Sequence, residues 1–272
     1  MFKKIVIISG WIFCAAAIIF FSAFAERQHN QRLVLGVDVT ISRKADHFFV
    51  AEEEVKMSLI ARGFGLPNQT LSTIDIPSIE KLINAHAAVQ SCEACINVEG
   101  KVLISIIQRK PIARLINLKG ESYYFDDMGR LMPWSDKYTA PVILVNGFFI
   151  ESYAAMSAVD FSTIPADSAL RSVMLLDDIW QVVKQIDADS FLRVQMVQVY
   201  LSQENGFELV PRIGNQKIIL GTAEGVEGKF KKLGLFYTYG LNQTSRWNDY
   251  CVIDLRFKNQ IVCTKNPIAN GI

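Results

Sequence analysis

Histidine is scarce in this chain. His29, His47 and His86 are the three present, all in the N-terminal third, and no two stand at metal-ligand spacing. That excludes a zinc site built on a helical imidazole pair. The sequence also lacks a GxSxG elbow and a glycine-rich phosphate loop, so neither serine acyl transfer nor nucleotide hydrolysis has its usual apparatus. An excess of one charge is missing too. Net charge is +1, and beyond Lys3 and Lys4 the chain carries 26 basic residues (28 less those two) against 27 acidic ones. So neutral a body gathers no polyanion, and nucleic acid is not among the expected partners. Internal repeats and low-complexity tracts are absent. No cofactor and no metal is expected.

Cysteine is sparse, with five residues. Cys14 falls in an apolar run. Cys92-x-x-Cys95 has no second CxxC beside it. It reads as a redox pair, half a metal site, or two small residues at a helix-to-strand turn. Asp126-Asp127 and Asp177-Asp178 are adjacent carboxylates that could serve acid–base work on glycans. Neighbouring positions on a strand or helix point apart, however, so turn and cap roles are expected for both pairs.

What the chain does have begins at Ile5. From there to Phe24 run 20 residues without a charge, about 30 Å of helix, which is the thickness of a bilayer core. Lys3 and Lys4 on its near side favour a cytoplasmic end at 1–4, an anchor at 5–25 and everything later outside. Ala23-Phe24-Ala25 has the form of a signal-peptidase site, but a cleaved signal carries a shorter apolar region.

After a polar spacer, Leu33, Leu35, Val37, Val39 and Ile41 alternate as a strand does. Val55, Leu59 and Ile60 share a helical face ended by Gly63, and Ile76-Pro77 opens a second helix with Ile79, Leu82 and Ile83 inward. Strands at Ile96–Val98 and Val102–Gln108 come next, around Gly100. This β-α-α-β-β unit is assigned to residues 33–113.

A second domain, 114–266, is expected to be mostly antiparallel sheet with helices packed on it, leaving 267–272 as a tail. Its strands fall at 112–117, 122–125, 131–134, 142–145, 192–201, 207–210 and 217–220, with helices from Asp167 and over 224–239. The whole is α+β, behind a single transmembrane helix.

The chain closes with Tyr250–Phe257 and Gln260–Lys265, read as a hairpin turning at Lys258-Asn259. In that register Phe257 opposes Gln260, Leu255 opposes Val262 and Asp254 opposes Cys263. Cys251 and Cys263 then point to opposite faces and form no disulfide, though a one-residue slip reverses that conclusion. The last strand, Ile261–Lys265, has no successor. If it lies at the sheet edge, its free backbone groups can accept another chain's strand. A plain edge guarded by Lys258 and Lys265 is the alternative.

Several stretches carry a family resemblance. Lys101–Arg114, ending Gln-Arg-Lys-Pro-Ile-Ala-Arg, resembles the strand and exit segment of the POTRA domain in the FtsQ/DivIB family. Tyr123–Arg130 resembles that family's Tyr-x-Asp-x-x-Gly hairpin, and Pro141–Gly147 its Pro-x-Leu-x-Gly stretch. Ile219–Gly221 with Lys229, Phe230 and Leu233 fits its strand-then-helix step, and Tyr250–Phe257 resembles its closing strand. Gln260 departs from a glycine found there in some members.

The resemblance implies a non-enzymatic divisome scaffold, single-pass in the bacterial inner membrane, with its body in the periplasm at the division septum. It would bind FtsB and FtsL through strand addition and other divisome proteins through the POTRA domain. Carried over by residue, Arg256 would meet a partner carboxylate and Phe257 would be an aromatic anchor. Lys258, Asn259, Gln260, Ile261, Val262, Cys263, Thr264 and Lys265 would form the receiving edge. Two other functions stay open at this point: a periplasmic enzyme acting on cell-wall glycan, and an anchored POTRA protein of secretion or outer-membrane assembly.

Overall fold

The computed structural model describes residues 10–11, 13–21, 32–42, 49–64, 69–163, 175–243 and 247–267. Residues 10, 11 and 13–21 are helical, and Trp11, Phe13, Ile18, Ile19, Phe20 and Phe21 lie 67–77% exposed on it. Among the described residues no helix is long and apolar enough to cross a membrane. Residues 5–9, 12 and 22–25 of the expected anchor lie outside the described residues. The chain divides into two compact units, Met1–Gln108 and Arg109–Ile272.

The first unit runs β1 (Gly36–Ser42), α1 (Glu52–Ala61), α2 (Ile76–Asn84), β2 (Val89–Ile96) and β3 (Lys101–Gln108). The sheet order is β1-β3-β2, with β1 parallel to β3 and β2 antiparallel to it. The central strand buries Val102, Ile104, Ile106 and Gln108 at alternate positions, the period-two pattern that puts one set of side chains in the core. Gln108 is polar there for a reason. Its Oε1 accepts from the backbone N–H groups of Phe49 and Val50, fixing the entry to α1. Helix α2 starts where the Asp75 carboxylate caps the Ser78 N–H, with Pro77 in the first turn. Its buried face is Ile79 and Ile83, one turn apart.

Three expectations are corrected here. Strand β1 starts at Gly36, and Leu33 makes only an isolated bridge to Thr70. Ile60, read onto the buried face of α1, is 54% exposed. The strand expected at Ile96–Val98 ends at Ile96 and begins at Val89 instead, so Cys92 and Cys95 lie within β2 rather than at a turn. Three positions apart on a strand, they face opposite ways. Cys92 is buried and Cys95 exposed, both as free thiols.

The second unit runs β4 (Pro111–Ile116), β5 (Ser122–Asp126), β6 (Leu131–Pro133), β7 (Ile143–Gly147), α3 (Tyr153–Met156), α4 (Leu175–Ala188), α5 (Ser190–Gln195), β8 (Met196–Ser202), β9 (Gly206–Pro211), β10 (Lys217–Gly221), α6 (Val226–Leu235), a π-helix (Phe236–Asn242), β11 (Tyr250–Asp254) and β12 (Val262–Lys265). Nine strands form one sheet in the order β12-β11-β10-β9-β8-β7-β4-β5-β6. Junctions β4–β7, β7–β8 and β10–β11 are parallel and the other five antiparallel.

One core serves the unit. Leu176, Ile179, Val182, Val183 and Ile186 of α4 and Phe230 and Leu233 of α6 join Ala113, Leu115, Val145, Val199, Leu209, Ile218 and Ile253 from the strands. Phe125 stacks edge-on to Phe161 at 5.3 Å and lies 5.6 Å from Trp180.

The stretch 192–195, read as strand, is helical. The Asp189 carboxylate accepts from the Phe191 and Leu192 N–H groups and caps α5, delaying the strand to Met196. Residues 164–174, where the preceding helix was expected to begin, lie outside the described residues.

The two edges of the sheet differ. Strand β6 is three residues long, ends in Pro133 and has α3 packed against it. Strand β12 has no proline, and Val262, Thr264 and Lys265 are exposed.

Candidate protein-docking edge at the C-terminal strand

Strand β11 is held from its inner side by β10. It pairs parallel to β10 through Lys217↔Val252, Ile218↔Ile253 and Ile219↔Asp254, and the Leu255 N–H then donates to the Ile219 carbonyl at 2.8 Å. Ile253 and Leu255 are wholly buried, so the strand's inward face is fixed.

The connection to β12 is a loop, not a two-residue turn. Asp254 pairs with Val262, Ile253 with Cys263 and Val252 with Thr264, one residue off the expected register. Arg256 explains the longer connection. Its N–H donates to Asp254 Oδ1 at 3.0 Å, Nε bonds the same oxygen at 3.0 Å, and Nη2 bonds Oδ2 at 2.6 Å. The chain turns away at Arg256 instead of continuing as a ladder.

A second clamp holds the loop from outside. The Lys232 ammonium on α6 donates to the Leu255 carbonyl at 3.3 Å and also to the Phe257 carbonyl. Arg256 lies over Gly221, whose φ is +77°. A Cβ there would stand 2.8 Å from Arg256 Cγ, so the seat demands glycine both for backbone angle and for space.

Electrostatics keep the clamp charged. Burial pushes the Asp254 carboxyl up, but the Arg256 hydrogen bonds and charge outweigh it and hold the group below its ordinary range. The same pairing holds the Arg256 guanidinium protonated to higher pH. Burial raises the Cys263 thiol.

The predicted site residues therefore fall into three sets. Arg256 is engaged within the chain: the carboxylate it meets here is Asp254 of its own strand. Phe257, 44% exposed, stands beside the loop tip of Lys258, Asn259 and Gln260, all exposed. Ile261 and Cys263 are half-buried against the core, while Val262, Thr264 and Lys265 are exposed along the edge. Among the described residues, no strand pairs with the outer side of β12.

The register slip brings Cys251 and Cys263 nearer than expected, yet both are free, and the Cys251 thiol donates to the Thr264 and Lys265 carbonyls. The ladder shifts register between Tyr250 and Val252, which leaves Cys251 as the extra residue of a bulge.

Sequence reading missed Lys232 and the Phe236–Tyr250 ring contact at 6.1 Å, which props the far end of β11. Neither has a local signal. Asp254-x-Arg256 has one, since alternate strand positions share a face.

Elsewhere Asp126, Asp177 and His86 are hydrogen-bonded within the chain. Asp126 is 1% exposed. Its Oδ1 accepts from the Met128 and Arg130 N–H groups, and its Oδ2 meets Arg109 Nη1 at 3.1 Å. Burial raises its pKa against those bonds. Asp177 is buried and accepts from Gln181 Nε2 at 2.8 Å. His86 Nδ1 accepts the Ala88 N–H, whereas His29 and His47 lie outside the described residues. Among the described residues no cluster of three or more His, Cys, Asp or Glu could hold a metal ion.

Comparison with known proteins bears on both units. A family model described as FtsQ/DivIB, C-terminal related, matches residues 110–264, more than half of the chain. A model of a POTRA-like domain matches residues 34–107. No curated protein matches the chain.

Proposed function

The chain belongs to the FtsQ/DivIB family, and from that premise we propose that it is a membrane-anchored assembly protein of the division septum whose β12 edge receives a strand from a partner. Its domains are those of a cell-division family that is typically non-enzymatic. The observation that carries the finer reading is the edge itself. A proline-free terminal strand on which Val262, Thr264 and Lys265 are exposed stands next to a half-exposed aromatic, Phe257. Backbone pairing along such an edge supplies affinity, and the adjoining side chain supplies selectivity.

In this reading the partner strand comes from FtsB, FtsL is engaged with it, and the POTRA domain (34–107) contacts other divisome proteins. Residues 5–25 are the anchor. The exposed apolar surface of residues 10, 11 and 13–21 supports that assignment, since a helix apolar all round belongs in a core or a bilayer. The body then lies in the periplasm. Lys258 and Lys265 flank the receiving strand and discourage indiscriminate pairing.

The test is a fluorescent fusion at the cytoplasmic end together with depletion. A midcell band and filamentous depleted cells are expected. A uniform membrane signal without a division phenotype would overturn the proposal.

A further inference from the structure

We infer that the groove at the loop end of the nine-stranded sheet takes the stretch of the docked partner that continues past β12; this rests on the strand-docking reading above. The groove measures about 740 Å³, and Leu118, Phe148, Ile150, Leu175, Leu201 and Phe207 are among its lining residues. Its outer apolar residues are open to solvent, Leu118 at 53%, Phe148 at 40%, Ile150 at 62% and Leu175 at 41%. Apolar side chains gathered in one concave patch mark a contact surface in a way that the same residues scattered would not.

Its place in the sheet says what contacts it. Gly147 pairs with Leu201, Leu201 with Phe207 and Phe207 with Gly221, a row that crosses β7, β8, β9 and β10 at one end. The near rim of the groove is Gly221 and Thr222. Gly221 is the seat of Arg256, the Thr222 carbonyl accepts from Lys229 Nζ at 2.8 Å, and Lys232 holds the Leu255 and Phe257 carbonyls. The groove thus begins where the loop bearing Phe257 ends.

A strand added outside β12 lies five strand spacings from β8, about 24 Å at ~4.8 Å each, which seven or eight extended residues span. The two lysine ammoniums on the crossing are held by backbone carbonyls, which favours acidic or uncharged residues there and apolar ones at the far end. If the partner docks antiparallel to β12 this is its C-terminal continuation, and its N-terminal one if parallel.

The full chain in detergent is titrated with two fragments of the FtsB periplasmic segment. One is cut at the end of the strand that crosslinks to β12, and the other keeps ten or so residues beyond it on the loop side. The longer fragment is expected to bind at least tenfold tighter, and Ile150→Glu to remove that advantage while leaving the short fragment unchanged. Phe148→Glu repeats the measurement at a second position. Equal binding of both fragments to the unsubstituted chain overturns the inference, as does an advantage that survives both substitutions. A substitution that changes self-association of the chain in sedimentation, and neither fragment, assigns the groove to a second copy and overturns it too. Phe257→Ala separates the two claims: if it weakens both fragments while the groove variants do nothing, only the groove fails, and if it weakens neither, strand docking fails.

Discussion

The Arg256 guanidinium closes on the carboxylate of Asp254, two residues earlier, with Nη2 2.6 Å from Oδ2 and Nε 3.0 Å from Oδ1. The pair ties the last residue of β11 to the loop that follows, and the strand stops there. Beyond the pair the chain enters a supported loop that carries Phe257 out beside the edge, not a tight turn that would tuck it back over the sheet.

The pair makes the loop sensitive to acid. Asp254 is held below its ordinary value of 3.8, so its contribution is present above that value and lost as pH falls through the lower, folded one. Asp254→Asn is expected to cost about 1 kcal/mol in urea unfolding at pH 7, and the difference from the parent should shrink as pH falls through the lowered, folded value. A gap that stays constant down the acid series would show that charge is not the cause.

Phe257 is expected to matter for binding and little for folding. Phe257→Ala should weaken the affinity for a partner ectodomain by more than about 2 kcal/mol, as at an interface hot spot. The melting temperature should be nearly unchanged, because the ring is 44% exposed. Calorimetric titration beside thermal unfolding checks both halves.

The sheet end should tolerate no side chain at Gly206. Its φ is +70°, and a Cβ would meet the Gly221 carbonyl oxygen at 2.5 Å. Gly206→Ala is expected to destabilise the unit by about 2 kcal/mol or more. Gly221→Ala carries similar backbone strain at φ +77° but meets the Arg256 side chain rather than backbone, and should cost less. Paired denaturant curves distinguish backbone from side-chain obstruction.

Thiol reactivity should divide within β2. Burial and the nearby Glu80 and Glu93 push the Cys92 thiol from 9.0 up to about 11, which leaves about a hundredfold less thiolate at pH 8 than an ordinary cysteine has. Cys95 is exposed. Alkylation read by mass spectrometry should label Cys95 promptly and Cys92 only after unfolding.

The sheets were legible because their strands alternate: Val102, Ile104 and Ile106 announce one buried face and could not be rotated to the other. The order of elements in the first unit comes from that pattern and from Pro77 and Gly63 as punctuation. Where the reading failed, a polar side chain had taken a backbone partner. Asp189 turned Leu192–Gln195 from strand into helix, since capped helix and strand both suit Leu-Arg-Val-Gln. The β11–β12 register slipped because the reading assumed a turn at Lys258-Asn259, whereas Lys232 stabilises a longer path. Lys232 is remote in sequence, and nothing near Phe257 betrays it. The edge position of β12 was inferred from its being last, and its place outside β11 depends on the parallel β10–β11 junction, which no local pattern encodes.

The asymmetry of the two sheet margins limits how copies of this protein can associate. A filament of like subunits would need one molecule's β12 to join the next molecule's β6, repeated without end. Three residues terminating in Pro133, with α3 alongside, offer no ladder for that junction. Self-pairing through this sheet can therefore proceed only β12 to β12, which closes on itself as a dimer and occupies the margin that a foreign strand would use. Self-association through this sheet would therefore stop at the dimer and compete with any foreign strand for the same margin.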